Sequence, residues 1–330
     1  MTVTLADVAK ACGLSPSTVS RALSDPGRVS AQTRDKVARV AREMGYTPNR
    51  VARSLSMGRT GTIGLIVPDV ANPFFPPIIK AVQARAARKD LVVVLADTDE
   101  RAADELDRAR VLSKQVDGLI MVSPRSPEPR IAEIGRLGPT VFVNRRVPEH
   151  PSVLIDNADG MRQAVEHLVA LGHRHIGYLA GPRRSWSNQQ RHAAITEACA
   201  QLGAELVTFG PFEPQVQAGV QAADLLQGSP ATAVIAYDDL IALGVMARMS
   251  ERGLSVGRDL SVMGIDDSPL SGMAYPTLTS IHVPGAEAGA TAVDLLLDVL
   301  DGLHGEPPPP LVELETYLVV RSSTGPAPRR

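Results

Sequence analysis

The chain has 330 residues, a net charge of −2, two cysteines and only 3% aromatic residues. That length holds two or three domains around a sizeable core. Cys12 and Cys199 form neither a disulfide framework nor a zinc spacing, no apolar run is long enough to span a bilayer, and no charged-then-apolar leader is expected, so the composition points to a reducing cytoplasm. The charge is uneven: residues 1–60 hold ten Lys/Arg against four Asp/Glu, the remainder 24 against 32. A basic head on an acidic body suggests that the head alone meets a polyanion.

Residues 4–23 read as two short helices and a tight turn. Thr4 is an N-cap with Asp7 as its capping-box partner, and Leu5, Val8, Ala9 and Cys12 make one apolar face. Gly13 ends that helix, Ser15 caps the next, and Pro16 takes its first position. Val19, Ala22 and Leu23 face inward, which leaves Pro16, Ser17, Thr18 and Arg21 outside near the start of the second helix. This is a helix-turn-helix layout, whose second helix reads bases in the major groove. Arg21 suits a guanine edge, Ser17 a base or phosphate, and Pro16 an apolar contact.

A third helix follows, capped by Ser30, with Val37, Val40, Ala41 and Met44 buried and Gly45 at its end. Its Arg34, Lys36, Arg39 and Arg42 suit either phosphates or plain solvation. Residues 46–55 offer a helix of about two turns, too short to be stable alone in water. Such a segment can order on DNA, where an exposed Leu55 flanked by arginines would wedge between base steps; a domain linker is the plain alternative.

From residue 62 the pattern changes to alternating strands and helices, through strands at 63–67, 91–95, 118–122, 141–144, 153–155, 176–180, 233–236, 261–265, 279–283 and 311–320. This predicts a parallel α/β core with helices on both faces. The core is long for one sheet, so two lobes are expected, with the chain crossing near 156–160 and again near 282–286. In such sheets a ligand sits at the carboxyl ends of the strands.

No GxGxxG follows a strand, and GxxxxGK[ST], GxSxG and HExxH do not occur, so neither a nucleotide-cofactor enzyme nor a hydrolase has support, and no cofactor or metal is expected. His173 and His175 alternate just before a strand and read as part of its lead-in loop. Polar residues at strand ends stand out: Asn144, Asp238 with Asp239, and Asp266 with Asp267. Carboxylates accept hydrogen bonds from neighbouring hydroxyls, which suits a sugar or nucleoside, and Arg191 adds a forked donor. Phe74, Phe75, Phe212 and Trp186 could pack on a ring. Asp239 reads as a cap of the next helix, Asp266 as a ligand contact.

Thr4-Leu-Ala-Asp-Val-Ala-Lys, Ser17-Thr-Val-Ser-Arg-Ala-Leu, Tyr46-Thr-Pro-Asn, Val51-Ala-Arg-Ser-Leu, Asn72-Pro-Phe-Phe, Leu171-Gly-His-Arg-His-Ile-Gly-Tyr and Gly264-Ile-Asp-Asp, in this order, resemble the LacI/GalR family of bacterial transcriptional regulators along essentially the full length. The resemblance implies a helix-turn-helix headpiece (1–47), a hinge helix and linker (48–61), and a periplasmic-binding-protein-like core. The core would hold an N-lobe (62–160 with about 286–312), a C-lobe (161–285 with about 313–323) and a loose tail (324–330). It implies a homodimer on a near-palindromic DNA operator, contacted through Thr4, Ser15, Pro16, Ser17, Thr18, Arg21, Arg28, Asn49, Arg53 and Leu55. It also implies a small sugar-like effector held by Phe74, Phe75, Asn144, Ser187, Arg191, Phe212, Asp238 and Asp266. Asn144 stands where many members carry Asp, and Asp238 where Asn is frequent. A co-repressor role for a nucleobase or nucleoside, or a protein partner, is the alternative left open.

Overall fold

The computed structural model describes residues 3–24, 29–46, 59–303 and 309–328. Contacts divide the chain into two units, Met1–Thr60 and Gly61–Arg330.

The first unit packs three helices, α1 (Leu5–Cys12), α2 (Pro16–Ser24) and α3 (Ala31–Glu43). The capping box at α1 is formed: Thr4 Oγ1 accepts from the Asp7 amide at 3.3 Å, and the Thr4 amide donates to Asp7 at 2.9 Å. Gly13 turns the chain at φ 65°, a left-handed conformation that costs a residue without Cβ little. Ser15 and Ser30 cap α2 and α3 through the Thr18 and Thr33 amides. Val8, Ala9, Cys12, Val19, Ala22, Val37 and Ala41 form the core, with Val40 and Met44 packed against it.

The second unit contains two six-stranded sheets. The first is built from β1 (Thr62–Val67), β2 (Val92–Asp97), β3 (Gly118–Val122), β4 (Thr140–Val143), β5 (Ser152–Ile155) and β11 (Leu311–Leu314), in spatial order β11-β5-β4-β3-β1-β2. The second holds β6 (His175–Leu179), β7 (Glu205–Phe209), β8 (Ala233–Ala236), β9 (Ser261–Asp266), β10 (Thr279–His282) and β12 (Tyr317–Val319), in order β12-β10-β9-β8-β6-β7. All pairings are parallel except β10 with β12. The central strands β3, β4 and β8 are fully buried and, but for Thr140, apolar, as strands covered on both faces tend to be. In each sheet the first strand, β1 or β6, has its two successors on opposite sides. These are topological switch points, where the loops leaving the carboxyl ends diverge and open a crevice.

The chain passes between the sheets three times. After β5, Asp156 caps α7 (Asn157–Ala170), which packs against β10 and β12 of the second sheet. After β10, α12 (Gly285–Leu300) packs against β3, β4 and β5 of the first. After β11, Glu315 and Thr316 lead directly into β12. The single strand expected over 311–320 is therefore two strands in different sheets, and the first sheet keeps the chain to Leu314, beyond the expected boundary near 312. One extended run cannot serve both sheets, and the buried Thr316 marks the change by donating to the Asp156 carbonyl at 2.7 Å.

The reading of 324–330 as a loose tail also fails for its described part. The Gly325 amide donates to Ser261 Oγ at 3.0 Å, the Ala327 amide to the Leu171 carbonyl at 2.9 Å, and Ser323 is fully buried. His173 is the anchor. It is fully buried, with Nδ1 2.8 Å from Thr232 Oγ1 and Nε2 3.0 Å from both Ser261 Oγ and the Gly325 carbonyl. Burial holds its pKa below the ordinary histidine value. The folded chain thus keeps His173 neutral where the unfolded chain takes up a proton. Its contribution to stability is full above about pH 6.5 and declines as pH falls below that value. Thermal melts between about pH 7.5 and about pH 5 should show this loss, and His173→Gln should make it shallower. An equally steep decline in the variant would assign the pH dependence to other groups.

Candidate functional site

On the first unit, the start of α2 presents a compact polar surface. Ser15, Pro16, Ser17 and Arg21 are exposed and Thr18 is half-buried. The three hydroxyls are mutually hydrogen-bonded: Ser15 Oγ lies 2.9 Å from Ser17 Oγ and 2.8 Å from Thr18 Oγ1. Arg21 Nε donates to the Ser17 carbonyl at 3.2 Å, which orients the guanidinium along the helix and leaves both terminal nitrogens for a partner. Thr4 is exposed at the N-terminus of α1. Arg28, Asn49, Arg53 and Leu55 lie outside the described residues.

On the second unit, a narrow polar cavity opens at the carboxyl ends of both sheets. From the first sheet it receives Asn72, Phe74 and Phe75 after β1, Ser123 and Arg125 after β3, and Asn144 after β4. From the second it receives Ser187 and Arg191 on α8 (Trp186–Leu202), Tyr237 and Asp238 after β8, and Asp266 at the end of β9. Both switch points therefore contribute. Seven of the eight expected effector residues line the cavity. The eighth, Phe212, packs with the core of the second lobe instead, where its amide donates to the Ala180 carbonyl at 2.8 Å. Trp186 begins α8 but does not line the cavity.

Three of the lining residues hold unusual backbones: Ser123 at φ 45°, Asn144 at 57° and Asp266 at 114°. Residues with a Cβ avoid this region, at a cost of about 1–3 kcal/mol each, and such strain concentrates where a ligand must be met. The turn aims each side chain from its strand end into the cavity. Asn144 Nδ2 donates to Ser123 Oγ at 2.9 Å, while Asn144 Oδ1 and Ser187 Oγ are buried without any partner. Buried polar atoms are nearly always satisfied, so two orphans on one cavity point to a polar ligand.

Arg191 is the hub of the second lobe. It is 3% exposed, donates to Asn157 Oδ1 at 2.9 Å and to the Tyr237 carbonyl at 2.7 Å, and lies 5.0 Å over the Tyr237 ring. Its remaining nitrogen sits 3.6 Å from Asp266, too far for a direct hydrogen bond and close enough for an ion pair. Burial raises Asp266 well above the usual carboxylate range, the Arg191 charge opposing and Asp239 and Asp238 adding to the rise. Burial likewise pushes Asp238 up to about 7, against the hydrogen bond it accepts from Ile241.

Asp238 lines the cavity and Asp239 is structural, but the helix cap expected of Asp239 falls on Asp238. Asp238, not Asp239, caps α10 (Asp239–Glu251), accepting from the Ile241 amide at 2.8 Å. Its other oxygen faces Asn72 Nδ2 at 3.4 Å. Asp239 is a buried tie that accepts from the Ser268 amide at 2.7 Å and from Ser271 and Ser280 hydroxyls at 2.6 Å each. The helix starts one residue earlier than the sequence suggests, so the cap moves back by one.

Four lining residues escape the sequence reading. Ser123 follows the same strand-end rule as Asn144 and was open to it, and Asn72 sits in the Asn-Pro-Phe-Phe stretch itself. Tyr237 reads as the last residue of an apolar strand. Arg125, in Ser-Pro-Arg-Ser-Pro, carries no local signal. It is buried, paired to Glu100 at 2.8 and 3.1 Å, and reaches Ser185 Oγ of the second lobe at 3.2 Å.

Removing one member of a buried ion pair leaves an uncompensated charge, at a cost of about 3–5 kcal/mol. Arg191→Met is expected to lower unfolding free energy on that scale in denaturant titrations, and adding Asp266→Asn should recover part of it. Strict additivity of the two changes would show that the two groups do not interact.

Residues 4–49 match bacterial regulatory proteins of the lacI family, and residues 165–324 match a periplasmic binding protein-like domain. The HTH-type transcriptional repressor CytR of Escherichia coli (strain K12) is 35% identical over 333 residues, covering 97% of this chain and 96% of that protein. The crystal structure of the lac repressor dimer bound to operator and the anti-inducer ONPF is similar with a TM-score of 0.86 at 31% identity, over 98% of this chain and 100% of that one. The complex of the transcriptional regulator CelR with cellobiose is similar with a TM-score of 0.71 at 32% identity, over 97% and 99% of the two chains. With its helix-turn-helix unit and its two-lobed α/β core, the chain belongs to the LacI family of bacterial transcriptional regulators.

Proposed function

We propose that this chain is a cytoplasmic, homodimeric repressor that binds a near-palindromic operator and is controlled by a small polyhydroxylated effector held between its two lobes. The orphaned Asn144 Oδ1 and Ser187 Oγ carry the second half of this reading, because each faces a cavity that also holds two buried carboxylates. Asn144 Oδ1 can only accept and Ser187 Oγ can accept or donate, so hydroxyl groups on the effector suit both, and Arg191 adds further donors. The headpiece carries the first half. Its exposed hydroxyls and Arg21 stand at the end of α2 that a helix-turn-helix presents to base edges. Two copies would set two such helices on two half-sites. The edge strand β2 favours pairing of copies, since Val92, Val94 and Leu95 are exposed on it.

Control follows from differential affinity. An effector shifts the balance between the operator-binding form and the other form only as far as it binds one better. Contacts from both lobes make affinity depend on how the lobes are set, which is the required difference.

The direct test is fluorescence anisotropy of a labelled fragment from the gene's own upstream region, at fixed salt, titrated with pentoses, hexoses, disaccharides and nucleosides. Release of DNA by one compound is the expected result. Tightening would make the compound a co-repressor, and no response to any compound would favour a protein partner. Arg21→Ala should cost about 1–3 kcal/mol at its own base pair and relax specificity there. Equal weakening on every sequence would reduce Arg21 to a phosphate contact.

A further inference from the structure

Besides Asn144 Oδ1 and Ser187 Oγ, the cavity has a third unsatisfied polar group, the proton of the Tyr237 hydroxyl. Ser185 is fully buried and caps α8. Its Oγ meets three groups: the Asn188 amide at 3.2 Å, Arg125 Nη1 at 3.2 Å and the Tyr237 hydroxyl at 3.0 Å. The amide and the guanidinium can only donate. A serine oxygen accepts at two lone pairs and has one proton to give, so both lone pairs are spent and the proton is left for Tyr237. Tyr237 Oη therefore accepts from Ser185. Among the described residues this is the only hydrogen bond of that hydroxyl, so its own proton has no acceptor there. Tyr237 is buried and lines the cavity, as does Arg125, and the polar ends of the two meet at Ser185.

Arg125 is held in this arrangement by first-lobe groups alone. Glu100 grips its guanidinium at 2.8 and 3.1 Å, and Glu105 grips the amides of Arg125 and Ser126 at 2.6 and 2.8 Å, which leaves Nη1 aimed at Ser185. We propose that Arg125, Ser185 and Tyr237 form a directional hydrogen-bond relay that makes the Tyr237 hydroxyl a donor to the effector. Tyr237 is the contact residue; Arg125 and Ser185 are positioning residues that act through it. This rests on the effector reading above and adds to it a second donor besides Arg191, one that an acceptor oxygen of the ligand has to meet. The relay starts on the first lobe and ends on the second, so its direction depends on how the lobes are set. When Arg125 is withdrawn, a Ser185 lone pair falls vacant, and the Tyr237 proton can turn to it and away from the ligand. An effector that uses this donor binds one setting of the lobes better than another, which is the difference that control requires.

The direction of the relay can be read without a ligand, from the tyrosine Fermi doublet in ultraviolet resonance Raman spectra of the full chain. The share of its upper band is high when the phenolic oxygen accepts a hydrogen bond and low when the hydroxyl only donates. Subtracting the matching Tyr237→Phe spectrum isolates Tyr237 among the five tyrosines. Ser185→Ala should lower that share, because the phenolic oxygen loses its donor; a rise would mean that Tyr237 donates to Ser185, and overturns the relay. Arg125→Met combined with Glu100→Gln, which removes both partners of the buried pair, should lower it as well, and an unchanged doublet takes Arg125 out of the relay. Isothermal titration calorimetry with ribose, glucose, galactose, cellobiose, adenosine and cytidine then tests the contact. Tyr237→Phe keeps the ring 5.0 Å from the Arg191 guanidinium. It should weaken the compound that binds the wild-type chain about tenfold, the scale of one hydrogen bond. Adding Ser185→Ala should weaken it no further, since Ser185 acts through that hydroxyl. Full affinity in Tyr237→Phe, or losses that multiply in the double variant, overturns the contact and leaves the effector reading standing, since the compound still binds. If no compound binds the wild-type chain, the effector reading fails and the contact falls with it, whatever direction the spectra give.

Discussion

Three crossings of the chain meet at one point, and the cleft depends on that meeting. A Cβ on Gly160 would stand 2.3 Å from Thr316 Oγ1 and 2.9 Å from Ile281 Cγ2. Gly160 lies on α7 just after the first crossing, Ile281 on β10 just before the second, and Thr316 within the third. No other residue type fits among them without moving one. The Thr316 hydroxyl closes the junction by donating to the Asp156 carbonyl. With the crossings gathered at one place, each sheet keeps its own core on either side, and the carboxyl ends of the strands meet across a gap.

What lines that gap is held at a cost. Asp266 sits at φ 114°, in a region that is nearly the preserve of glycine, and the next residues are tied by Asp239. The tie explains how the strained turn persists. One carboxylate takes the Ser268 amide and the Ser271 hydroxyl on one oxygen and the Ser280 hydroxyl on the other, so the loop after β9 is fixed to both α10 and β10. Gly264 makes room for it, since a Cβ there would stand 2.1 Å from Asp239 Oδ1. Asp239, which does not line the cavity, is thus the residue that holds Asp266 on it.

The sequence made the helix-turn-helix legible almost residue by residue, because its signals are local: a capping box, a glycine at φ 65°, a serine cap and a proline at the first position. Strand-end polarity picked out Asn144, Asp238 and Asp266, which line the cavity, for a similar reason, since each follows an apolar strand directly. The misreadings are non-local. Phe212 drew attention because aromatics are scarce, but a ring's destination is set by what surrounds it, and here that is the second lobe's core. The tail's Gly-Pro-Ala-Pro reads as loose, and the groups that hold it, among them His173, Ser261 and the Leu171 carbonyl, lie far earlier in the chain. The division of 311–320 between two sheets is written in nothing but Glu315-Thr316, a polar pair inside an otherwise plausible strand. Arg125 is invisible for the same reason, as its partners lie 25 and 60 residues away.

Arg125 also shows how the lobes are coupled at the cleft. Its amide and that of Ser126 are gripped by the buried Glu105 carboxylate at 2.6 and 2.8 Å, and its guanidinium is clamped by Glu100. The one hydrogen bond it makes to the second lobe goes to Ser185, the cap of α8, whose hydroxyl lies 3.0 Å from the Tyr237 hydroxyl. Tyr237 in turn covers Arg191. A charge fixed rigidly on the first lobe thus meets the second at the very helix that carries Ser187 and Arg191. Any ligand that repositions Arg191 acts on the contact between lobes, and any change in the lobes' setting reaches Arg191. Linkage requires that this dependence run both ways with equal free energy, which is the property a ligand-controlled regulator has to have.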